Sequence, residues 1–153
     1  MTALRQPEPA WLDTLEPPEY LIALAVRQIQ DSMNTALRKH GLKLVEWRML
    51  QCLSGQDGLT ICDLAEAAVI DRTVASRLVD KLAERGLLSK DALKSDRRFA
   101  QVTLTKAGRS LLAAADLSAR ATRERLFTGV SEAEADRLNR TLMTLIANGA
   151  RRF

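Results

Sequence analysis

Six polar residues, Arg72, Thr73, Ser76, Arg77, Asp80 and Lys81, recur at intervals of one, three and four. A helix over this stretch carries them on one face. Its other face is apolar, with Val74, Leu78 and Leu82 four apart and Ala75 and Val79 beside them. A solvated surface helix usually shows Glu and Lys outward, whereas this face begins Arg, Thr, Ser, Arg. Arginine matches guanine O6 and N7 in a major groove, and Thr and Ser reach bases or phosphates. A few residues later Lys90, Lys94, Arg97 and Arg98 stand against Asp91 and Asp96, between two short β-type runs. A basic hairpin tip of that kind is thin enough for a minor groove, where arginine follows the negative potential. Taken singly, the helix also fits a plain surface helix and the tip a charged, soluble loop. A recognition-type helix followed directly by a hairpin is far more specific.

The elements that must hold these groups are legible from the breaks in the chain. All four prolines fall in the first 18 residues, which read as an extended arm made sticky by Trp11, Leu12 and Leu15. The proline-free remainder permits long helices. Apolar residues Ile22, Val26, Ile29, Met33 and Leu37 predict a helix over 19–40, stopped by Gly41. A shorter helix follows over 44–53. Thr60 is placed to cap a third through Ala67, with Asp63 in its first turn. After a tight turn at Ala68 to Ile70, Asp71 is placed to cap the fourth, which runs to Arg85 and ends at Gly86. This is helix-turn-helix order. Leu87 to Lys90 and Phe99 to Leu104 predict two strands. Thr105 caps a long helix to about Phe127, and Ser131 with Glu134 forms a capping box for a last helix through Asn148. The predicted fold is mainly α with a small β-wing, in the order α-α-α-α-β-β-α-α.

Composition narrows the function classes. The 153 residues, 46% hydrophobic and 27% charged, fit one ordinary globular domain. Two cysteines and one histidine exclude a disulfide scaffold and any metal site built from four Cys or His ligands. The longest uncharged apolar run, Tyr20 to Val26, is too short to span a bilayer, and the early prolines break the order of a signal peptide. A cytoplasmic protein without membrane partners or cofactors is expected. The net charge of +4 leans toward polyanions, but the excess lies mostly in residues 106–153. Bulk charge therefore decides little.

From Thr60 to Gly108 the chain resembles the MarR family of bacterial transcription regulators. The matching segments are Asp63-Leu64-Ala65, Arg77-Leu78-Val79-Asp80-Lys81-Leu82, Arg85-Gly86-Leu87, Asp96-Arg97-Arg98, and Val102-Thr103-Leu104-Thr105 with Gly108. Upstream, Glu46-Trp47-Arg48-Met49-Leu50 resembles the family's second helix. One departure is Lys43-Leu44, where members often place a Ser or Thr cap. The resemblance implies a winged helix-turn-helix homodimer joined through its N- and C-terminal helices. Residues 1–18 would be the arm, 19–40 and 105–153 the dimerisation helices, and 42–104 the winged DNA-binding lobe. It also implies that Asp96 and Arg98 match the wing's Asp-x-Arg pair, with the arginine reaching DNA. Leu111, Leu112, Leu138, Leu142, Leu145 and Ile146 agree independently, supplying more apolar surface than a monomer needs. The expected DNA contacts are Thr60, Arg72, Thr73, Ser76, Arg77, Lys81, Lys94, Asp96, Arg97 and Arg98. The expected partner is a palindromic double-stranded operator, bound as a repressor.

The same resemblance implies a small, often aromatic or phenolic, effector held between the dimer helices and the winged lobe. Arg27, Met33, His40, Trp47 and Arg48 are the candidates for that cleft. Each has an ordinary structural role as its alternative: core packing for Trp47, a helix-dipole partner for His40, a surface charge for Arg27. Cys52 and Cys62 raise a redox-sensing alternative, although the first helix carries no cysteine near its start. No P-loop, G-x-G-x-x-G, G-x-S-x-G or H-E-x-x-H motif is present, and His40 is the one imidazole, so no catalytic constellation can be assembled. The rival of a different class is a winged helix that binds protein, for which the arginines of helix and wing would have no use.

Overall fold

The computed structural model of the chain describes residues 18–56, 58–92 and 100–150. The expected packing of Trp11, Leu12 and Leu15 lies outside them. The elements run α1 (Glu19–Leu37), α2 (Leu44–Ser54), β1 (Leu59–Thr60), α3 (Ile61–Ala68), α4 (Arg72–Glu84), β2 (Leu88–Ala92), β3 (Ala100–Leu104), α5 (Lys106–Leu126) and α6 (Glu132–Ala150).

The predicted order holds with one addition, the two-residue β1. It pairs antiparallel with β3, Leu59 opposite Val102 and Thr60 opposite Gln101, in a sheet ordered β1-β3-β2. Two residues carry no readable periodicity, so only the long-range pairing defines this strand. The first helix is shorter than expected. It tightens into a 3-10 turn over Arg38–His40, and Gly41, at φ 66, takes the left-handed conformation that closes it. The first hairpin strand starts at Leu88 rather than Leu87. The Leu87 N–H is used to end α4 on the Leu82 carbonyl, and the Leu87 carbonyl accepts from Thr105 N–H.

Caps explain most helix starts. Thr60 Oγ1 accepts from Asp63 N–H at 3.1 Å, and Thr105 Oγ1 accepts from Gly108 N–H at 3.0 Å. Ser131 and Glu134 form the reciprocal box: Glu134 N–H donates to Ser131 Oγ, and Ser131 N–H donates to the Glu134 carboxylate. That acceptor role holds the Glu134 carboxyl below its usual range. Asp71 sits at the N-cap of α4, but its side chain makes no capping bond. Lys43, which has no acceptor, heads α2 in another way: Glu46 accepts the Lys43 N–H at 2.9 Å, and Asn34 of α1 accepts the Leu44 N–H at 2.8 Å.

The core gathers Leu37 of α1, Met49, Leu50 and Leu53 of α2, Leu64 of α3, Val79 and Leu82 of α4, Val102 of β3, and Leu112 and Ala115 of α5. Within α4 the most buried stripe is Ala75, Val79 and Leu82; Val74 and Leu78, expected to lead, are half-buried flanks. Leu112, expected on an outer surface, packs in this core. By contrast the stripe of α1 divides. Met33 and Leu37 are buried, while Val26 and Ile29 are exposed. No residue of α6 is buried, and Leu138, Met143, Leu145 and Ile146 are exposed.

Candidate nucleic-acid interface

The α3 and α4 helices meet through a turn whose backbone is closed without glycine. Val69 ends α3 in the left-handed region at φ 57, its N–H donating to Glu66, while Ile70 N–H returns to Ala65 at 3.0 Å. Arg48 of α2 donates to the Ala68 carbonyl at 3.2 Å, satisfying another end of the same helix. The turn is therefore fixed from both its own backbone and α2, and it sets the angle at which α4 leaves.

On α4, Arg72, Thr73 and Arg77 are exposed and Ser76 is half-buried. No ion pair among the described residues engages Arg72 or Arg77. One turn further on the outward charges are occupied. Lys81 Nζ lies 2.8 Å from Glu46 Oε1, and Asp80 pairs with Lys90 of β2 at 2.8 Å. Thr60 is likewise occupied, capping α3 and donating to Asp63 at 2.6 Å. The ten expected DNA contacts thus divide. Arg72, Thr73 and Arg77 stand open on the first two turns, Ser76 beside them is partly covered, and Lys81 and Thr60 hold structural bonds. Lys94, Asp96, Arg97 and Arg98 lie outside the described residues.

Two acidic groups with structural work were missed in the sequence. Asp80 ties the hairpin to α4 through Lys90. Glu46, on α2, is 1% exposed. Burial raises its pKa, but the Lys81 hydrogen bond, the Lys43 N–H, and the nearby charges of Lys81 and Arg85 outweigh it and hold the carboxyl below its ordinary value. A Glu three residues after the cap signals the Lys43 bond, but no sequence signal pairs it with Lys81, 35 residues away.

Of the five expected effector residues, two share a cleft. Met33 and Trp47 line a cavity of about 270 Å³ with Gln51, Asp116, Ala119, Arg120 and Arg123. Trp47 Nε1 donates to Asp116 Oδ1 at 2.8 Å, and Gln51 Nε2 donates to the same oxygen at 2.6 Å. Arg48 lines a different cleft of about 280 Å³ that includes Val69 and Ile70. His40 Nε2 shares a 2.8 Å hydrogen bond with Ser118 Oγ, tying the end of α1 to α5. Arg27 is exposed and lines neither cleft. The sequence reading missed Asp116, Arg120 and Arg123, which recur at i, i+4 and i+7 on α5. That polar stripe has helical spacing, but the leucines and alanines of the same helix dominate its pattern. Cys52 is half-buried, and burial pushes its thiol pKa up against the opposing field of Arg48, which removes thiolate rather than supplying it.

Similarities to known proteins follow this division of the chain. The model of the MarR family matches residues 42–99, from α2 through β2. Across a longer span the chain is 27% identical over 131 residues to the HTH-type transcriptional repressor IacR of Pseudomonas putida, covering 86% of this chain and 78% of that protein. A solved MarR-family transcriptional regulator from Silicibacter pomeroyi superposes with a TM-score of 0.75 at 29% identity, covering 88% of this chain and 90% of the other. CouR from Rhodococcus jostii RHA1, solved with p-coumaroyl-CoA bound, superposes at 0.79 with 26% identity, covering 90% and 95%. Residues 42–99 thus match the model of the MarR family, and the flanking helices superpose on solved members of that family.

Proposed function

We propose that this protein is a homodimeric, sequence-specific double-stranded DNA-binding transcription regulator, acting as a repressor that a small aromatic anion releases from a palindromic operator. The observation that carries the reading is the open face of α4, where Arg72, Thr73 and Arg77 are exposed and, among the described residues, in no ion pair, at the end of the helix that a winged helix-turn-helix inserts into a major groove. The repressor name of the Pseudomonas relative supports the direction of regulation. Arg72, Thr73, Ser76 and Arg77 read bases or flanking phosphates, and Lys94, Asp96, Arg97 and Arg98 are the candidate wing residues for the minor groove. Residues 42–104 act as the reading lobe.

The dimer is formed by 19–40 and 105–153. Exposed Leu21, Val26 and Ile29 on α1 and Leu138, Met143, Leu145 and Ile146 on α6 supply its apolar surface. The effector enters beside Trp47. Arg120 and Arg123 pair with its carboxylate, the indole stacks on its ring, and the second oxygen of Asp116 accepts from a hydroxyl. A volume of about 270 Å³ suits one ring rather than a larger skeleton.

Selection of bound duplexes from a random pool at near-physiological salt tests the reading. Enrichment of a palindrome is expected, and Arg77→Ala is expected to relax preference at one base pair by about 1–3 kcal/mol. Salt-sensitive binding with no enriched sequence would leave only an electrostatic surface and favour a protein partner instead.

A further inference from the structure

Glu46 is an expensive residue for its place. A carboxylate that is 1% exposed is desolvated, a cost that only its hydrogen-bond and charge partners offset. Its hydrogen bonds are directional, and its partners Lys81 and Arg85 lie in the last turn of α4 and at its C-cap. Oε1 accepts from Lys81 Nζ at 2.8 Å, Oε2 lies 3.9 Å from Arg85 NH1, and Oε2 also accepts the Lys43 N–H. The apolar contacts of α4 are of another kind. Ala75, Val79 and Leu82 bury the inner face of the helix without any directional bond.

Rotation is what base reading cannot tolerate. Side-chain ends lie about 5–6 Å from the axis, so a turn of about 10° carries them roughly 1 Å. Bidentate contacts need placement within about 0.5 Å. Lys81 follows Arg77 by one turn on the same stripe, so a bond that fixes Lys81 fixes the direction in which Arg77 and Thr73 point.

We propose that Glu46 is the positioning residue of the DNA-reading helix, setting the rotation of α4 through Lys81 and Arg85, and that Lys81 serves as part of this lock rather than as a DNA contact. The inference rests on the DNA-binding function proposed above. It revises the sequence expectation for Lys81, whose ammonium is already committed.

The test uses the operator that the unaltered protein selects, together with a random duplex, each titrated across salt concentrations. Lys81→Met is expected to lower the preference for operator over random DNA roughly tenfold, with the salt slope on random DNA unchanged. Glu46→Gln is expected to lower that preference similarly. Lys81→Arg, which still reaches the carboxylate, is expected to restore the preference. A uniform loss on all duplexes after Lys81→Met, with the slope reduced by about one, would make Lys81 a phosphate contact and overturn the proposal. Full preference retained in Lys81→Met would overturn it equally. Should Glu46→Gln fail to fold, the two Lys81 variants decide, since that side chain is 52% exposed. An unaltered protein that selects no operator would instead remove the DNA-binding reading itself.

Discussion

Gly108→Ala tests how the hairpin is joined to α5. In an open helix this change stabilises, by about 1 kcal/mol. Gly108 is different because a Cβ there would run into the Leu87 carbonyl oxygen and come within 3.1 Å of Leu104 Cδ2. Carbon approaches a carbonyl oxygen ordinarily to about 3.3 Å, so the start of β2 must retreat on the order of 1 Å. That retreat strains the joint where Thr105 N–H donates to Leu87 at 3.2 Å and Thr105 Oγ1 donates to Gly86 at 2.7 Å. Overpacking costs about 1–3 kcal/mol and a weakened hydrogen bond about 1 more. Against the helix gain, the net is a loss of about 1–3 kcal/mol, or roughly 3–10 °C in melting temperature for a chain of this size. Thermal unfolding followed by circular dichroism, at one fixed protein concentration, measures it. Gly149→Ala, where no atom lies within 4 Å of the added carbon, is the control and is expected to be neutral or slightly stabilising. A Gly108→Ala protein as stable as the unaltered chain would refute the close approach of α5 to Leu87.

Three further outcomes are expected. Val69→Asn should raise stability by about 1 kcal/mol in urea unfolding, because a β-branched residue at φ 57 is strained and its side chain, 80% exposed, loses little burial. Glu46 has a lowered folded pKa, so its contribution to stability is complete above its ordinary 4.5 and is lost as pH falls through the lower value. Acid titration should therefore show an unfolding component that Glu46→Gln lacks. Ile146→Asp, on an exposed stretch of α6, should keep the helical content while shifting sedimentation toward the monomer; an unchanged sedimentation coefficient would place the dimer surface elsewhere.

Much of this architecture is written locally. Thr60, Thr105 and the Ser131–Glu134 pair announce helix starts because a cap acts within three residues, a range the sequence displays directly. The outward set of α4 was legible for the same reason, since helical spacing alone places Arg72 and Arg77. What escaped depends on contacts between distant segments. The strand β1 exists through its pairing with β3, more than 40 residues on. Lys81 and Arg77 are indistinguishable by spacing, yet Glu46 engages one and leaves the other open. The cleft shows the same limit. Trp47 was a candidate by residue type, whereas Asp116, its hydrogen-bond partner, becomes visible only when α2 lies against α5. Arg48 and His40 have the chemistry of effector ligands, but the fold spends both on ends of helices or contacts between them.

Glu46 and Trp47 are consecutive on α2, about 100° apart around its axis. One grips α4, and the other forms a wall of the cleft and is bonded to α5. The same short helix thus carries one residue bonded to α4 and the next bonded to α5. On the function proposed above, a molecule wedged against the indole would sit one residue along the helix from the group that holds α4. The traffic runs both ways: if occupation of the cleft weakens DNA binding by some factor, DNA binding must loosen the cleft's hold on its occupant by the same factor. Operator-bound and unbound copies of the protein would then sample the same pool of small molecule with different affinities.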